Sequence, residues 1–331
     1  MGVGQVLRNR EPGPRRATDA SQTRNRDGAR TGLDPVTETQ SRNPNVAVVT
    51  MARDEGQMLK RWVSYYGAAV GRSSLVIFDD GSVDGSTEDL GCTVHRLPRF
   101  PGGKMFIPSR MKLASGIAAG LLACYDYVIF ADVDEFLIPD PDQFEGLVDF
   151  LKARPHSDVI AGMALNVVHH AEVEAGIDPE RPILDQRSFA KFIPRMCKPS
   201  IKRIPAAWRH STHAITAPYR VDSGLFMMHM KFHDRNSLRQ LGDRRRAAFE
   251  SDGRGMNSSW KLTGGEITQR VTGFLAGQQP GEITEFTPDP QVLEQIVVHR
   301  NGLHESRGAA QLYAMRDQPL VRIPERLRGL A

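Results

Sequence analysis

The sequence has few cysteines and no long apolar segment. Cys92, Cys124 and Cys197 are an odd number at wide spacings, which argues against a disulfide-built fold and favours a reducing compartment. No apolar stretch approaches the ~20 residues that a membrane span requires, and the best candidate, 116–123, predicts a short helix. We therefore expect a cytoplasmic protein without a transmembrane segment, and contact with the inner face of the membrane stays open.

Net charge is also small, at +4, and it is unevenly distributed. Residues 1–43 contain eight Arg and five acidic residues, so this segment alone contributes +3. It lacks apolar periodicity and predicts a disordered Arg-rich tail, with a targeting peptide as the weaker interpretation. The near-neutral remainder gives no reason to expect a nucleic-acid partner. We predict a catalytic domain at 44–300, with halves 44–140 and 141–300, and a C-terminal helix and basic tail at 301–331.

Three apolar, β-prone segments each run into acidic residues. They are 45–51, 74–78 and 128–130, and each is the kind of continuous run expected of a strand buried on both faces of a parallel sheet. Between the first two, apolar residues recur over 58–66 with the spacing of one helical stripe. A strand, a helix and a second strand at this spacing predict a doubly wound α/β fold.

Two carboxylates, Asp132 and Asp134, follow the third segment one residue apart. Ligands of open α/β sheets bind at the carboxyl ends of the strands, and carboxylate oxygens suit hard divalent cations that also hold phosphates. This spacing therefore indicates a metal and phosphate site.

A second acidic loop follows the middle segment. Asp79, Asp80 and Asp84 are interspersed with Gly81 and Gly85, which permit positive φ and close backbone approach. The loop either binds a ligand or simply caps a helix, and these residues alone do not separate the two interpretations.

Taken in order, these motifs resemble glycosyltransferases of the GT-A fold, in the family-2-like branch. The motifs are R-x-E at 53–55, W-x-x-Y at 62–65, D-x-G-S-x-D at 79–84 and D-x-D-E-F at 132–136. A later His-containing segment, 228–234, also resembles that branch, and the likeness runs from about 46 to 249. It implies a nucleotide-binding sandwich with a mostly parallel central sheet flanked by helices.

The resemblance also implies a binding site for the sugar donor. Asp80 would contact the nucleotide base. Asp79 and Asp84 would shape the 79–84 loop, and Glu55 would support this loop. The donor-binding residues so implied are Arg53, Glu55, Asp79, Asp80, Asp84, Asp132 and Lys198. Lys198 belongs to a basic segment, 198–203, for which a solvated surface loop is the more ordinary interpretation of any single residue.

The metal ligands implied by the resemblance are Asp132, Asp134 and His229, and the ion is Mn²⁺ or Mg²⁺. Asp132 would face the ribose or a metal-bound water, while Asp134 would bind the ion directly. His233 is the alternative to His229, because residues at i and i+4 lie on the same side of a strand.

An inverting transferase also needs a carboxylate base to accept the proton of the acceptor hydroxyl. Glu174 and Asp185, in the polar segment after the fourth motif, are our candidates. Their spacing does not single them out from other acidic residues, which are Glu172, Asp178, Asp222 and Asp234. Inversion is favoured only by the resemblance.

These expectations describe a hexosyltransferase-like enzyme of polysaccharide or glycolipid biosynthesis. It would move a sugar from a nucleoside-diphosphate sugar, with UDP favoured, to a carbohydrate, a lipid-linked glycan or another hydroxyl acceptor. The alternative is a protein of the same fold that binds nucleotide sugars or carbohydrate without turnover. A nucleotidyltransferase is disfavoured because 51–56 lacks the Gly-rich basic loop expected after the first strand.

Overall fold

A ten-stranded sheet with helices packed against it forms the body of the protein. The computed structural model describes residues 42–256, 258–275, 280–306 and 318–331. The strands in these ranges are β1 (Val46–Ala52), β2 (Leu75–Asp79), β3 (Thr93–Arg96), β4 (Tyr127–Phe130), β5 (Glu135–Pro139), β6 (Val159–Val168), β7 (Phe189–Phe192), β8 (Ile201–Lys202), β9 (Trp208–Arg209), β10 (Ala214–Ile215), β11 (Arg220–Phe232), β12 (Val298–Arg300), β13 (Leu303–Glu305) and β14 (Leu320–Arg322). The helices are α1 (Gly56–Val70), α2 (Phe106–Leu121), α3 (Leu147–Lys152), α4 (Arg235–Asp252), α5 (Gly264–Leu275) and α6 (Pro290–Gln295).

The first half of the sheet is parallel. Its order is β3-β2-β1-β4, and β1 pairs in parallel with both β2 and β4. The register places Ala52 beside Asp79 and Val49 beside Phe130, so the strands end together at one edge. The three predicted strands are therefore confirmed, as is the α/β class with a central sheet flanked by helices.

The second half continues the same sheet with mixed strand directions. β8 joins β4 to β6 by antiparallel pairing, and β7 and β14 extend the sheet beyond β6. The long strand β11 pairs in parallel with β6 and antiparallel with β5. β14 lies in the segment 301–331, predicted from sequence to be a helix and a basic tail, and residues 307–317 of that segment lie outside the described residues.

Apolar stripes of the helices cover both faces of the sheet. α1 buries Leu59, Trp62, Val63 and Tyr66 against one face, which confirms the stripe predicted from the 58–66 spacing. On the other face, α2 buries small residues and Met111. The carboxyl edge of the parallel strands is left to the loops that follow β1, β2 and β4, and the acidic motifs lie at these loops.

Four short strands, β12-β13-β10-β9, form a separate antiparallel sheet. None of the helices in the described ranges combines the length and the apolar character needed to cross a membrane.

Candidate functional site

The D-x-D-E motif forms a tight turn at the carboxyl end of β4. The Glu135 N–H donates to the Asp132 carbonyl over 2.9 Å, so the chain reverses at once into β5. The Asp134 carbonyl accepts from the Met230 N–H at 2.7 Å, which ties the turn to β11. Both aspartates are thereby presented at the sheet edge where parallel α/β folds bind ligands.

Asp134, Glu135 and His229 converge at this edge. One ligand atom from each lies within 4.8 Å of the others. The convergence follows from strand register, because His229 on β11 stands opposite Glu135 on β5 and opposite Asn166 on β6. Of the two histidines predicted as alternatives, His229 is the one at this cluster.

The orientation of the His229 ring favours a cation beside it. Its Nδ1 lies 2.7 Å from the Asn166 amide oxygen, an acceptor, so Nδ1 carries a hydrogen. Nε2 then faces the Asp134 carboxylate at 3.4 Å. Two lone pairs at this distance repel unless a proton or a metal ion lies between them. A polar partner that fixes the tautomer in this way is a regular feature of metal-binding histidines.

Two cations, the buried Lys198 and the partly buried Arg110, hold the other carboxylates of the motif. Lys198 contacts Glu135 and lies 3.3 Å from Asp132, whose second oxygen is bound by Arg110. The Lys198 side chain is only 3% exposed, and Lys202 is also fully buried. The interpretation of 198–203 as a solvated loop was therefore wrong for these lysines, because β8 inserts into the middle of the sheet.

The charges at the site support one another. Burial favours neutral Lys198, but the carboxylates of Glu135 and Asp132 outweigh it and hold the pKa of Lys198 above its usual value. Burial likewise opposes ionised Asp132, but Arg110 and Lys198 hold the pKa of this carboxyl below its usual range. The pKa of Asp134 is also lowered, against the effect of burial, by His229 and Arg245. Both aspartates are ionised at neutral pH, as metal ligands must be.

Glu55, which precedes the first residue of α1, has the opposite shift. Burial and the negative charge of Asp134 raise its pKa from 4.5 to about 7, although Arg245 and Arg244 act against this. The pKa of Glu55 thus lies close to neutral pH.

We expect Glu55→Gln to remove a pH dependence of stability. The folded protein binds this proton more tightly than the unfolded chain, so stability falls as pH rises from 4.5 to about 7. Partial exposure of Glu55 reduces the effect. The free energy of unfolding of the variant should exceed that of wild type by about 1–2 kcal/mol at pH 8 and should equal it at pH 4. Urea unfolding at both pH values measures it. Glu88→Gln, at an exposed position, is the control, and equal gains in both variants would contradict the prediction.

The second acidic loop is held by its own aspartates. Asp79 accepts from the Ser82 N–H at 2.7 Å. Asp84 accepts from the N–H groups of Ser86 at 2.9 Å and of Gly56 at 3.1 Å. Gly56 is the first residue of α1, so Asp84 joins the β2 loop to the β1 loop. These two carboxylates therefore make the capping and turn contacts that were one of the two interpretations of the loop.

Asp80 is buried and has partners on both oxygens. One oxygen accepts from the Phe100 N–H at 2.7 Å, and the other is paired with Arg254. Arg254 follows α4, far from Asp80 in sequence, and the motifs gave no signal for it. Contact of Asp80 with a nucleotide base remains a prediction.

The remaining predicted donor, metal and base residues lie as follows. The Arg53 guanidinium is 3.5 Å from Asp54. His233 Nδ1 contacts the Met230 carbonyl, and burial lowers the pKa of His233 to about 4. The Glu174 carboxylate accepts from the N–H groups of His170 and Ser188 at 2.8 and 2.7 Å.

Asp185 lies in the 3₁₀ turn Ile183–Asp185, close to Gly329. The described contacts bring neither Glu174 nor Asp185 to Asp134. Glu174 holds its own loop and Asp185 lies near the end of the chain, and both base assignments stay predictions.

Sequence reasoning missed Asn166 and Arg110 and gave Glu135 no role. Asn166 had a signal, since it is a lone amide in the otherwise apolar strand β6. Glu135 was visible as the third acid of the D-x-D-E-F motif. Arg110 had none, because only folding brings α2 to the β4 turn.

Comparison with known proteins identifies no family. No family model matches the sequence, and no curated protein matches it either. Similar solved structures include glucosyl-3-phosphoglycerate synthase from Mycobacterium tuberculosis with phosphoglyceric acid, at 19% identity and a TM-score of 0.26 over 40% of this chain and 47% of that one. Another is described as mannose-1-phosphate geranyltransferase from Thermus thermophilus, at 12% identity and a TM-score of 0.25 over 45% and 48%.

A third is a mannosyltransferase from Pyrobaculum calidifontis in complex with GDP-Man and Mn²⁺, at 12% identity and a TM-score of 0.30 over 72% of this chain and 78% of that chain. The chain thus spans about half the length of the first two structures. At these TM-scores the matches carry no argument about function, which rests below on the site itself.

Proposed function

We propose that this protein is a metal-dependent glycosyltransferase of the GT-A type that uses a nucleoside-diphosphate sugar. One observation carries the proposal: His229 Nε2 lies 3.4 Å from the Asp134 carboxylate, while His229 Nδ1 is bonded to Asn166. This arrangement lies at the carboxyl edge of a parallel sheet, where such folds bind phosphate-bearing ligands.

The residues present fit a divalent cation. Asp134 and His229 would hold it, with Asp132 and Glu135 beside them. Carboxylate oxygens suit Mn²⁺ and Mg²⁺ alike, and the imidazole nitrogen tilts the choice toward Mn²⁺. A cation bound here stabilises the negative charge that develops on a departing diphosphate.

The protein's own cations complete the phosphate site in this proposal. Arg110 and Lys198 fix the Asp132 carboxylate and keep it ionised. Arg245 on α4 influences both Asp134 and Glu55 electrostatically, so its charge reaches the same edge. Fixed positive groups of this kind favour a transition state in which negative charge grows on the leaving group.

Donor and acceptor are proposed at the level of class. We propose a UDP-sugar as donor and a hydroxyl of a glycan, glycolipid or other carbohydrate as acceptor, with inversion of configuration. Inversion needs a base, for which Glu174 and Asp185 were the sequence candidates. Glu55 joins them because its proton exchanges near neutral pH beside Asp134.

A ligand screen with a turnover assay tests the proposal. Thermal stability is measured with UDP-, GDP- and dTDP-sugars, each with and without Mn²⁺, and nucleoside diphosphate release is then measured with the sugars that stabilise. We expect stabilisation by one nucleotide class that depends on Mn²⁺, followed by turnover. Stabilisation without turnover in the presence of candidate acceptors would favour the non-catalytic binding protein, and no response would overturn the proposal.

A further prediction concerns the partner of the metal-binding histidine. We expect Asn166→Ala to weaken Mn²⁺ binding by about 10–100-fold, because groups that orient a ligating His have effects of this size. Titration calorimetry with Mn²⁺ measures it without requiring activity. Asn236→Ala, at an exposed position on α4, should bind Mn²⁺ like wild type, and unchanged affinity in the Asn166 variant would remove its orienting role.

A further inference from the structure

Arg254 is almost fully buried, at 1% exposure, although it follows a hydrophilic helix. Its guanidinium bonds three oxygens: the Asp80 carboxylate, the Asp252 carboxylate at 2.9 Å and the Phe100 carbonyl at 2.7 Å. The same group lies over the Phe106 ring, 4.9 Å from its centroid. One side chain thus joins the β2 loop, the segment before α2 and the end of α4.

The backbone is shaped for this contact. A Cβ on Gly102 would overlap the Asp252 carbonyl oxygen, and one on Gly253, whose φ is +72°, would lie 3.5 Å from the Gly103 Cα. The two loops therefore approach so closely that a side chain at Gly102 would force them apart. We call residues 252–262, apart from 257, which the structure does not describe, the strap.

The strap continues from Arg254 to contacts with α2 and α4. Its Trp260 packs on Phe106, with ring centroids 5.8 Å apart. The Arg245 guanidinium lies 5.6 Å from the centroid of Trp260. Contacts therefore run from Asp80 through Arg254 and the two aromatic rings to Arg245 on α4.

Stability alone does not account for the ion pair. A buried ion pair contributes little compared with apolar groups of the same volume, because both charges lose their hydration. The contribution of Arg254 is to geometry, because its planar guanidinium group holds three acceptors in fixed positions at once. Here the fixed groups are the Asp80 loop and the strap, at the end of the site beyond the β1 loop.

We propose that Arg254 is a positioning residue for the donor, which closes the nucleoside end of the site by holding the strap onto Asp80. The inference rests on the proposed function, because it takes a nucleoside-diphosphate sugar as the ligand. Arg254 acts here through Asp80 and the strap. The diphosphate end, at Asp134 and His229, is formed by the turn after β4 and by β11, and the hydrogen bonds of Arg254 are made to other elements.

Binding of two probes to Arg254→Lys separates the ends of the site. Lys keeps the positive charge but cannot bond three acceptors in a fork. We expect the affinity for UDP in the presence of Mn²⁺ to fall at least 10-fold, and the affinity for Mn²⁺ with pyrophosphate to stay within 2-fold of wild type. Arg254→Gln should show the same pattern with a larger loss for UDP. If wild type selects GDP or dTDP instead, that diphosphate replaces UDP.

The control is Arg154→Gln, which breaks a paired Arg–Asp contact with Asp222 at 2.6 and 3.0 Å away from the sheet edge. It should bind both probes like wild type. Equal losses for UDP and pyrophosphate in folded Arg254→Lys, or no loss for UDP, would overturn the inference while wild-type binding preserves the proposed function. Absence of nucleotide binding by wild type would overturn both.

Discussion

We expect Asp134→Ala to lose sugar transfer by at least about 10²-fold, because fixed charges and metal ions at a developing oxyanion contribute this much or more. The carboxylate is ionised, faces His229 and belongs to the group of three converging ligand atoms. Its removal should also abolish the Mn²⁺ dependence of nucleotide-sugar binding. Turnover and Mn²⁺ titration on the same preparation measure the two effects together.

The matched control is Asp142→Ala, which removes a carboxylate of the same kind from an exposed position. This variant should keep turnover within 2-fold of wild type. The circular dichroism spectrum of Asp134→Ala should match that of wild type, since the turn is held by backbone hydrogen bonds from Glu135 and Met230. Unchanged turnover in a folded Asp134→Ala protein would remove the proposed metal role.

The second large effect is on stability. We expect Lys198→Met to lower the free energy of unfolding by about 3–5 kcal/mol, because removing one partner leaves buried carboxylates uncompensated. Glu135 is itself buried, and Lys198 is the cation in contact with it. Burial already raises the pKa of Glu135 in the presence of this lysine. Urea unfolding at neutral pH measures the loss.

A double variant identifies the cause of that loss. Adding Glu135→Gln to Lys198→Met should recover part of the stability, because one uncompensated charge is gone, and the two effects will not add. Lys152→Met, at an exposed position, should change stability by no more than about 0.5 kcal/mol. A small effect of Lys198→Met, or strict additivity in the double variant, would show that the buried charges are not coupled.

Much of the fold was predictable because its signals are local. Strands β1, β2 and β4 are continuous apolar runs, and α1 carries a stripe with helical spacing. Parallel strands require crossovers, so a strand–helix–strand order already implies that their carboxyl ends share an edge. The β-strand character of the segment containing His229 was also visible from its sequence.

The burial of two lysines in the basic segment 198–203 was not predictable from the sequence. Lys198 and Lys202 look like solvated residues because lysines usually are, and only the insertion of β8 between β4 and β6 buries them. Once buried, a charged lysine needs partners in the protein, because it has lost its contact with water. For Lys198 these are the carboxylates of the acidic motif.

The sequence by itself determined which segments become strands and that acidic loops follow three of them, because periodicity and residue type act over a few neighbouring positions. Only the tertiary structure decided that His229 meets Asp134 and Asn166, since β5 and β6 reach β11 through long-range pairing and its register. The pairing of Asp80 with Arg254 spans 174 positions along the chain. Such contacts depend on how the whole chain packs, and no local pattern encodes them.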